Sequence, residues 1–319
     1  MKKMISLLLI FAFFLPCAYA AGYPKKKVNG IIQWGAGGGT DSLMRPLCAL
    51  AEKELGQKIA LRNMAGGSGS IAAQYVHDQK ADGYTLLLGA ENPALYRVLG
   101  ISELTYDDFD CVLLIGDETV GIAVAADSGF QSFSSLIEAA LASPDTVTLA
   151  TTGTGGLPWE IASILYSVTG ARFRQIPYDS DASARVAVMN GECEFTVCKI
   201  QTGLEAWKSG DLRYLCLLSL EEDAVMPGVP SVIGEYPGFA EFLPWGPFYG
   251  VFVKKGTDEA IVSALSDAFL TAFRTEEYQG VLSGFHINPL GFTGVEAKAY
   301  IDVWSRSTVS ALEACGALG

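Results

Sequence analysis

Residues 28–41 read VNGIIQWGAGGGTD and run straight into SLMRPLCALAEKELG; a little further on, residues 59–76 read IALRNMAGGSGSIAAQYV. Each stretch passes from a short apolar run, through a glycine-rich loop, into a segment with helical periodicity. Such a loop leaves backbone N–H groups free at a helix start, where the helix dipole favours a negative group. Two of them close together point to a site for a small anion built from backbone rather than from catalytic side chains. Neither loop fits a nucleotide or nucleophile signature. Gly35 and Gly37 are followed by Thr40, and Gly37 and Gly39 by Ser42, so the spacing Gly-x-Gly-x-x-Gly is not met; no lysine sits in either loop, and Ser68 is flanked by Gly66 and Ser70 rather than by a glycine pair.

Outward from these loops the chain alternates. Strand character over residues 28–34, 59–62 and 84–88 encloses helical character over 40–55 and 70–79, with Thr40 or Asp41 available as N-cap of the first helix. This order predicts a parallel sheet covered by helices. A second series follows: strands at 111–116, 120–125, 147–150, 173–177, 194–198 and 212–219, and helices at 133–142 (with Ser132 as cap), 159–168 and 182–189. Within it the run TTGTGG, residues 151–156, repeats the glycine-loop-before-helix device. Amphipathic helices are expected at 256–273 and 294–312. Two α/β lobes, each aiming a glycine-rich loop at an anion, predict a clamshell with the ligand at the carboxyl ends of the strands.

The first 20 residues carry a basic start (Lys2, Lys3), the apolar run MISLLLIFAFFL and the small-residue site Ala18-Tyr19-Ala20. They read as a secretory signal peptide cleaved after Ala20. Pro16 disfavours lipid attachment at Cys17, and the run is short for a spanning helix. The full chain carries a formal charge of −13, and removing Lys2 and Lys3 brings it to −15. That balance excludes nucleic acid and anionic membrane surfaces as natural partners. The remaining cysteines, Cys48, Cys111, Cys193, Cys198, Cys216 and Cys315, are irregularly spaced and expected to be mostly buried free thiols, with Cys193 and Cys198 on opposite faces of a strand. His77 and His286 stand apart, so no metal set and no cofactor motif is expected.

Several segments in this order resemble one known family. They are Tyr23-Pro24-Lys25-Lys26-Lys27-Val28, Ala36-Gly37-Gly38-Gly39-Thr40-Asp41 with Arg45, Leu55-Gly56-Gln57, Arg62-Asn63-Met64-Ala65-Gly66-Gly67-Ser68-Gly69 and Asp82-Gly83-Tyr84-Thr85-Leu86. Gly153-Thr154-Gly155-Gly156, Ile176-Pro177-Tyr178, Met189-Asn190-Gly191-Glu192, Gly210-Asp211-Leu212-Arg213-Tyr214-Leu215, Pro227-Gly228-Val229-Pro230-Ser231 and Lys255-Gly256-Thr257 continue the pattern. On them the chain resembles the extracytoplasmic solute receptors of tripartite tricarboxylate transporters, also called Bug receptors. The resemblance implies a type II periplasmic-binding-protein fold, α/β, with two hinged lobes: residues 21–121 plus 250–319, and residues 122–249. It implies a periplasmic, monomeric, non-enzymatic protein that binds a small carboxylate and delivers it to membrane permease subunits.

On the same resemblance the ligand is held by Gly37, Gly38, Gly39, Thr40, Asp41, Gly66, Gly67 and Ser68 from the first lobe. From the second come Thr152, Gly153, Thr154, Gly155, Gly156, Trp159, Tyr178, Asp179 and Asp181. Asp41 is expected to cap its helix or bind a water. The chain departs from the family pattern at Trp34, Ala36, Ser180, Lys254 and Trp159, the last standing where many members carry histidine. Trp159 is expected either to line the pocket and favour a less polar acid, or to pack within its lobe. A sensor that presents its ligand to a membrane kinase, and an α/β enzyme, are the competing classes; against the enzyme stands the lack of a nucleophile, metal or nucleotide constellation.

Overall fold

A computed structural model describes residues 22–152, 154–243 and 245–314; the expected signal peptide, Gly153 and Cys315 lie outside the described residues. The chain runs β1 (Val28–Ile32), α1 (Gly39–Leu55), β2 (Ile59–Asn63), α2 (Ser70–His77), β3 (Thr85–Ala90), β4 (Phe109–Glu118) and β5 (Val120–Ala125). Next come α3 (Phe133–Ala142), β6 (Thr148–Thr151), α4 (Leu157–Thr169), β7 (Arg174–Pro177), α5 (Asp181–Met189), β8 (Phe195–Lys199), α6 (Ile200–Ser209) and β9 (Leu212–Leu217). The last elements are β10 (Phe248–Lys254), α7 (Glu259–Phe273), α8 (Glu276–Gly284), β11 (Ile287–Phe292) and α9 (Gly294–Ala314).

These strands form two sheets, in the orders β11-β4-β10-β3-β1-β2 and β7-β6-β8-β5-β9. The βαβαβ units pair in parallel as expected, β1 with β2 and β3, and β6 with β7 and β8. Neither sheet is parallel throughout, however. β10 runs antiparallel between β3 and β4, and β5 runs antiparallel between β8 and β9. The cause is topological: the chain leaves the first sheet through β4, passes Thr119 and enters the second as β5. It later returns as β10, and each crossing reverses the local direction.

Local sequence explains most of the elements. α1 buries Leu43, Met44, Leu47, Cys48, Leu50 and Ala51 along one stripe and ends at Gly56, whose φ of 64° closes the helix in the left-handed region. The Ser132 hydroxyl caps α3 as expected, accepting from the Ser135 N–H at 3.1 Å. Cys48, Cys111, Cys193, Cys198 and Cys216 are all free thiols. Cys193 precedes β8 rather than lying in it, so Cys193 and Cys198 share one buried cluster instead of facing opposite sides.

The two crossings lie side by side. The Glu118 N–H donates to the Pro247 carbonyl at 2.9 Å. At Gly246 a β-carbon would sit 1.9 Å from the Glu118 carbonyl oxygen, so only glycine lets the second crossing press against the first. α9 locks this region from behind, packing on both α4 and β4. The sequence reading groups residues 250–319 with the first lobe, and α9 touches elements of both sheets. Trp304 of α9 stacks on Trp245 with ring centroids 5.6 Å apart, and its indole N–H donates to the Gly246 carbonyl at 3.0 Å. One apolar cluster therefore runs from Ile31 and Leu87 of the first sheet through Trp304 to Ile161 of α4 and Phe195 of the second sheet.

Candidate functional site

The loop after β1 is organised by a side chain. α1 takes Gly38 as its N-cap, not Thr40 or Asp41, and Asp41 sits inside the first turn. From there its carboxylate reaches backward and sideways. It accepts the Gly37 N–H at 2.9 Å, Arg45 Nε at 2.9 Å and Asn63 Nδ2 at 2.8 Å. Asn63 in turn donates to the Trp34 carbonyl at 2.8 Å, so Asp41 and Asn63 tie the loop to the end of β2. The Arg45 guanidinium, with the Gly37 and Asn63 donors, holds the Asp41 carboxyl down at about 2. Its oxygens are occupied, so Asp41 shapes the loop and leaves no free acceptor for a ligand water.

A carboxyl held below its unfolded value adds stability above that value and loses it as pH falls through the folded one. Asp41 should therefore stabilise the protein by up to about 2 kcal/mol above pH 4 and lose this toward pH 2. Asp41→Asn should remove that acid-limb dependence, read as urea unfolding midpoints between pH 2 and 5.

The network decides which donors stay available. The Gly37 N–H is spent on Asp41, and the Gly38 N–H points to the Gly35 carbonyl at 3.3 Å. The N–H groups of Gly39, Thr40 and Asp41 have no acceptor among the described residues. They form the open first turn of a 17-residue helix, a ready site for an anion.

This turn opens on a groove of about 490 Å³ at the carboxyl ends of β1, β3 and β8. Gly38, Gly39, Thr40, Glu91 and Tyr249 line it from the first sheet, and Asp181, Lys199, Gln201 and Thr202 from the second. The sequence reading named Asp181 but missed Glu91, Lys199 and Tyr249. Their signal was present: Glu91 follows an apolar strand directly and Lys199 ends one, which is where open α/β sheets bind ligands. Lys199 Nζ lies 2.6 Å from Glu118 Oε2, and the Tyr249 hydroxyl donates to the same oxygen at 2.7 Å. Burial pulls the Lys199 ammonium down, but Tyr249 and Glu118 outweigh it and raise it above its ordinary value.

Other expected residues fall elsewhere. Gly66, Gly67 and Ser68 lie outside this groove. Their loop takes positive φ at four consecutive residues, 127°, 55°, 50° and 84° from Gly66 to Gly69, and wraps the buried Gln33. A β-carbon on Gly69 would sit 2.0 Å from Gln33 Nε2, which itself donates to the Tyr96 hydroxyl at 3.0 Å. Thr152, Thr154, Gly155 and Gly156 lead into α4, and a β-carbon on Gly155 would meet Leu99 of the opposite lobe at 2.9 Å. Gly153 is not described.

Trp159 lines a separate groove of about 250 Å³ with Tyr166, Phe173 and Gln175, and packs against the main apolar cluster. One residue of helix rotation turns its neighbour Glu160 inward instead, 3% exposed, where it feels Glu91 and Lys199. Tyr178 engages Glu192 at 3.4 Å and Cys193 at 3.5 Å, and Asp179 is exposed; neither lines the groove of loop 1.

No helix among the described residues is long and apolar enough to cross a membrane. The model of the family described as "Tripartite tricarboxylate transporter family receptor" matches residues 43–306. Protein BugT of Bordetella pertussis is 26% identical over 311 residues, covering 94% of each chain. Among solved structures, a TctC solute binding protein from Polaromonas, without ligand, superposes with a TM-score of 0.79 at 23% identity, covering 93% of this chain and 100% of that one. A protein of R. palustris solved with adipate gives 0.74 at 21% identity, covering 92% and 98%. With two lobes, a groove between them and a family match over most of its length, the chain belongs to the receptors of the tripartite tricarboxylate transporter family.

Proposed function

We propose that this receptor captures a small carboxylate in the periplasm and hands it to membrane permease subunits, without transforming it. The observation that carries the reading is the open first turn of α1: the unpartnered N–H groups of Gly39 and Thr40 beside a groove that both sheets line. A carboxylate there completes the helix's own hydrogen bonding and meets its positive end. Lys199, at the end of β8, is the cation of the opposite wall. The solved relative with adipate supports the same ligand class. The lobes divide near residues 121 and 250, and a monomer is sufficient because one chain supplies both walls. A ligand that touches both walls favours the closed arrangement over the open one by its differential contacts.

Gly39→Val tests the reading. Gly39 lines the groove, and a β-carbon there stands 3.5 Å from the Tyr249 hydroxyl, ordinary contact, so the variant folds while its side chain fills the anion site. A panel of mono-, di- and tricarboxylates should raise the unfolding midpoint of the parent, and none should raise that of the variant. Equal shifts in both proteins would remove the carboxylate from this helix end.

A further inference from the structure

We propose that the ligand carries a cationic nitrogen as well as its carboxylate, and that Glu91 holds that nitrogen, with the buried Glu160 adding negative charge from the other lobe. This rests on the carboxylate reading above and adds the second half of the ligand. Glu91 follows β3 and lines the groove; its Oε2 is closed off from water and has no hydrogen-bond partner among the described residues. Glu160, in the first turn of α4, is 3% exposed and stands outside the groove's lining. The two interact with each other and with Lys199 across the lobe boundary.

Lys199 offsets them only in part. Its ammonium is already paired with Glu118 at 2.6 Å. Asp181 adds another acid to the groove wall, and the chain as a whole is strongly negative. Around Glu91 stand the hydroxyls of Tyr96, Tyr106, Tyr249 and Tyr300, none of them a cation. The Glu91 carboxyl therefore stands at the groove with an oxygen that no donor meets, backed by a second buried acid in Glu160. Burial accordingly pushes Glu91 up to about 7 and Glu160 well above its ordinary value. A protein that carries such a pair where its ligand sits has either mutual repulsion or two protons to contend with. A ligand ammonium resolves both: it supplies a positive charge and an N–H donor to the Glu91 oxygen that has none. A purely anionic acid would instead meet a second acidic wall.

The experiment is calorimetry on the intact protein with matched pairs of acids differing only in the amine: glutamate and glutarate, phenylalanine and 3-phenylpropionate, γ-aminobutyrate and butyrate. Titrations at pH 7 in two buffers of different ionisation enthalpy count the protons exchanged. The amine-bearing member of the preferred pair should bind at least tenfold more tightly and release protons to the buffer, as Glu91 and Glu160 ionise beside the ammonium. Glu91→Gln should erase that preference and Glu160→Gln should reduce it, while binding of the amine-free member holds or improves. Glutamine keeps the shape and removes the buried ionisable group, so ligand-free unfolding midpoints at or above the parent's show that the variants fold. Equal affinity within every pair in the parent, with protons taken up rather than released, overturns the amine and leaves the carboxylate receptor standing. Binding of neither member of any pair overturns both.

Discussion

Lys199→Ala should lower the unfolding free energy by about 3–5 kcal/mol, because it strands a buried carboxylate. Glu118 is 3% exposed and the Lys199 side chain 20% exposed, and the pair joins the last residue of β4 to the last residue of β8. Without the lysine, Glu118 keeps only the Tyr249 hydroxyl, in a neighbourhood already holding Glu91 and Glu160. The cost belongs to the uncompensated charge and not to the pair's net worth, and a double change separates the two. Lys199→Met combined with Glu118→Gln removes both charges and should recover most of the loss, since neutral replacements of similar shape leave nothing unpaired. Urea unfolding at pH 7 reads all three proteins. A single variant with the parent's midpoint would mean that the ion pair does not form. Carboxylate affinity in the double variant then measures the lysine's part in binding, free of the stability loss.

Trp304→Ala should cost a similar amount, about 3–5 kcal/mol, through a different mechanism. Its ring is 2% exposed, stacked on Trp245 and met edge-on by Phe248 at 5.4 Å. Truncation opens a cavity where α9 meets both crossings, and orphans the Gly246 carbonyl that the indole N–H had satisfied. The thermal midpoint should fall by about 10 °C. Trp304→Phe keeps most of the ring contact and loses the N–H, so it should cost only about 1–3 kcal/mol. If alanine and phenylalanine cost the same, the hydrogen bond rather than the packing anchors α9.

The βα alternation was readable because it is a local property. A 3.6-residue stripe in α1 and short apolar runs in β1, β2 and β3 state which residues face inward, and the ends moved by only a few residues in the structure. The caps depended on more. Ser132 caps α3 as its sequence says, with only its own turn to satisfy. Asp41 does not cap α1, because Arg45 and Asn63 offer its carboxylate better partners from one turn and one strand away. α6, α8, β10 and β11 were not read as elements, their patterns being short or mixed, and they form against neighbours far along the chain.

The sequence by itself determined the class of fold and the family, and singled out the glycine-rich loop before α1, which is contiguous and whose chemistry is that of a helix start. Tertiary structure decided everything that needs two distant segments at once. Strand direction in each sheet followed from where the chain crosses between lobes, which no single strand encodes. The acidic and basic groups at and behind the groove come from Glu91, Glu118, Glu160 and Lys199, each unremarkable in its own segment and significant only once four strand and helix ends converge. Trp159 lines its own groove while its neighbour Glu160 is buried, for the same reason. Adjacent residues on a helix point about 100° apart, so which of them turns inward is set by how α4 is rotated against α9 and β6, a matter of packing that periodicity leaves open.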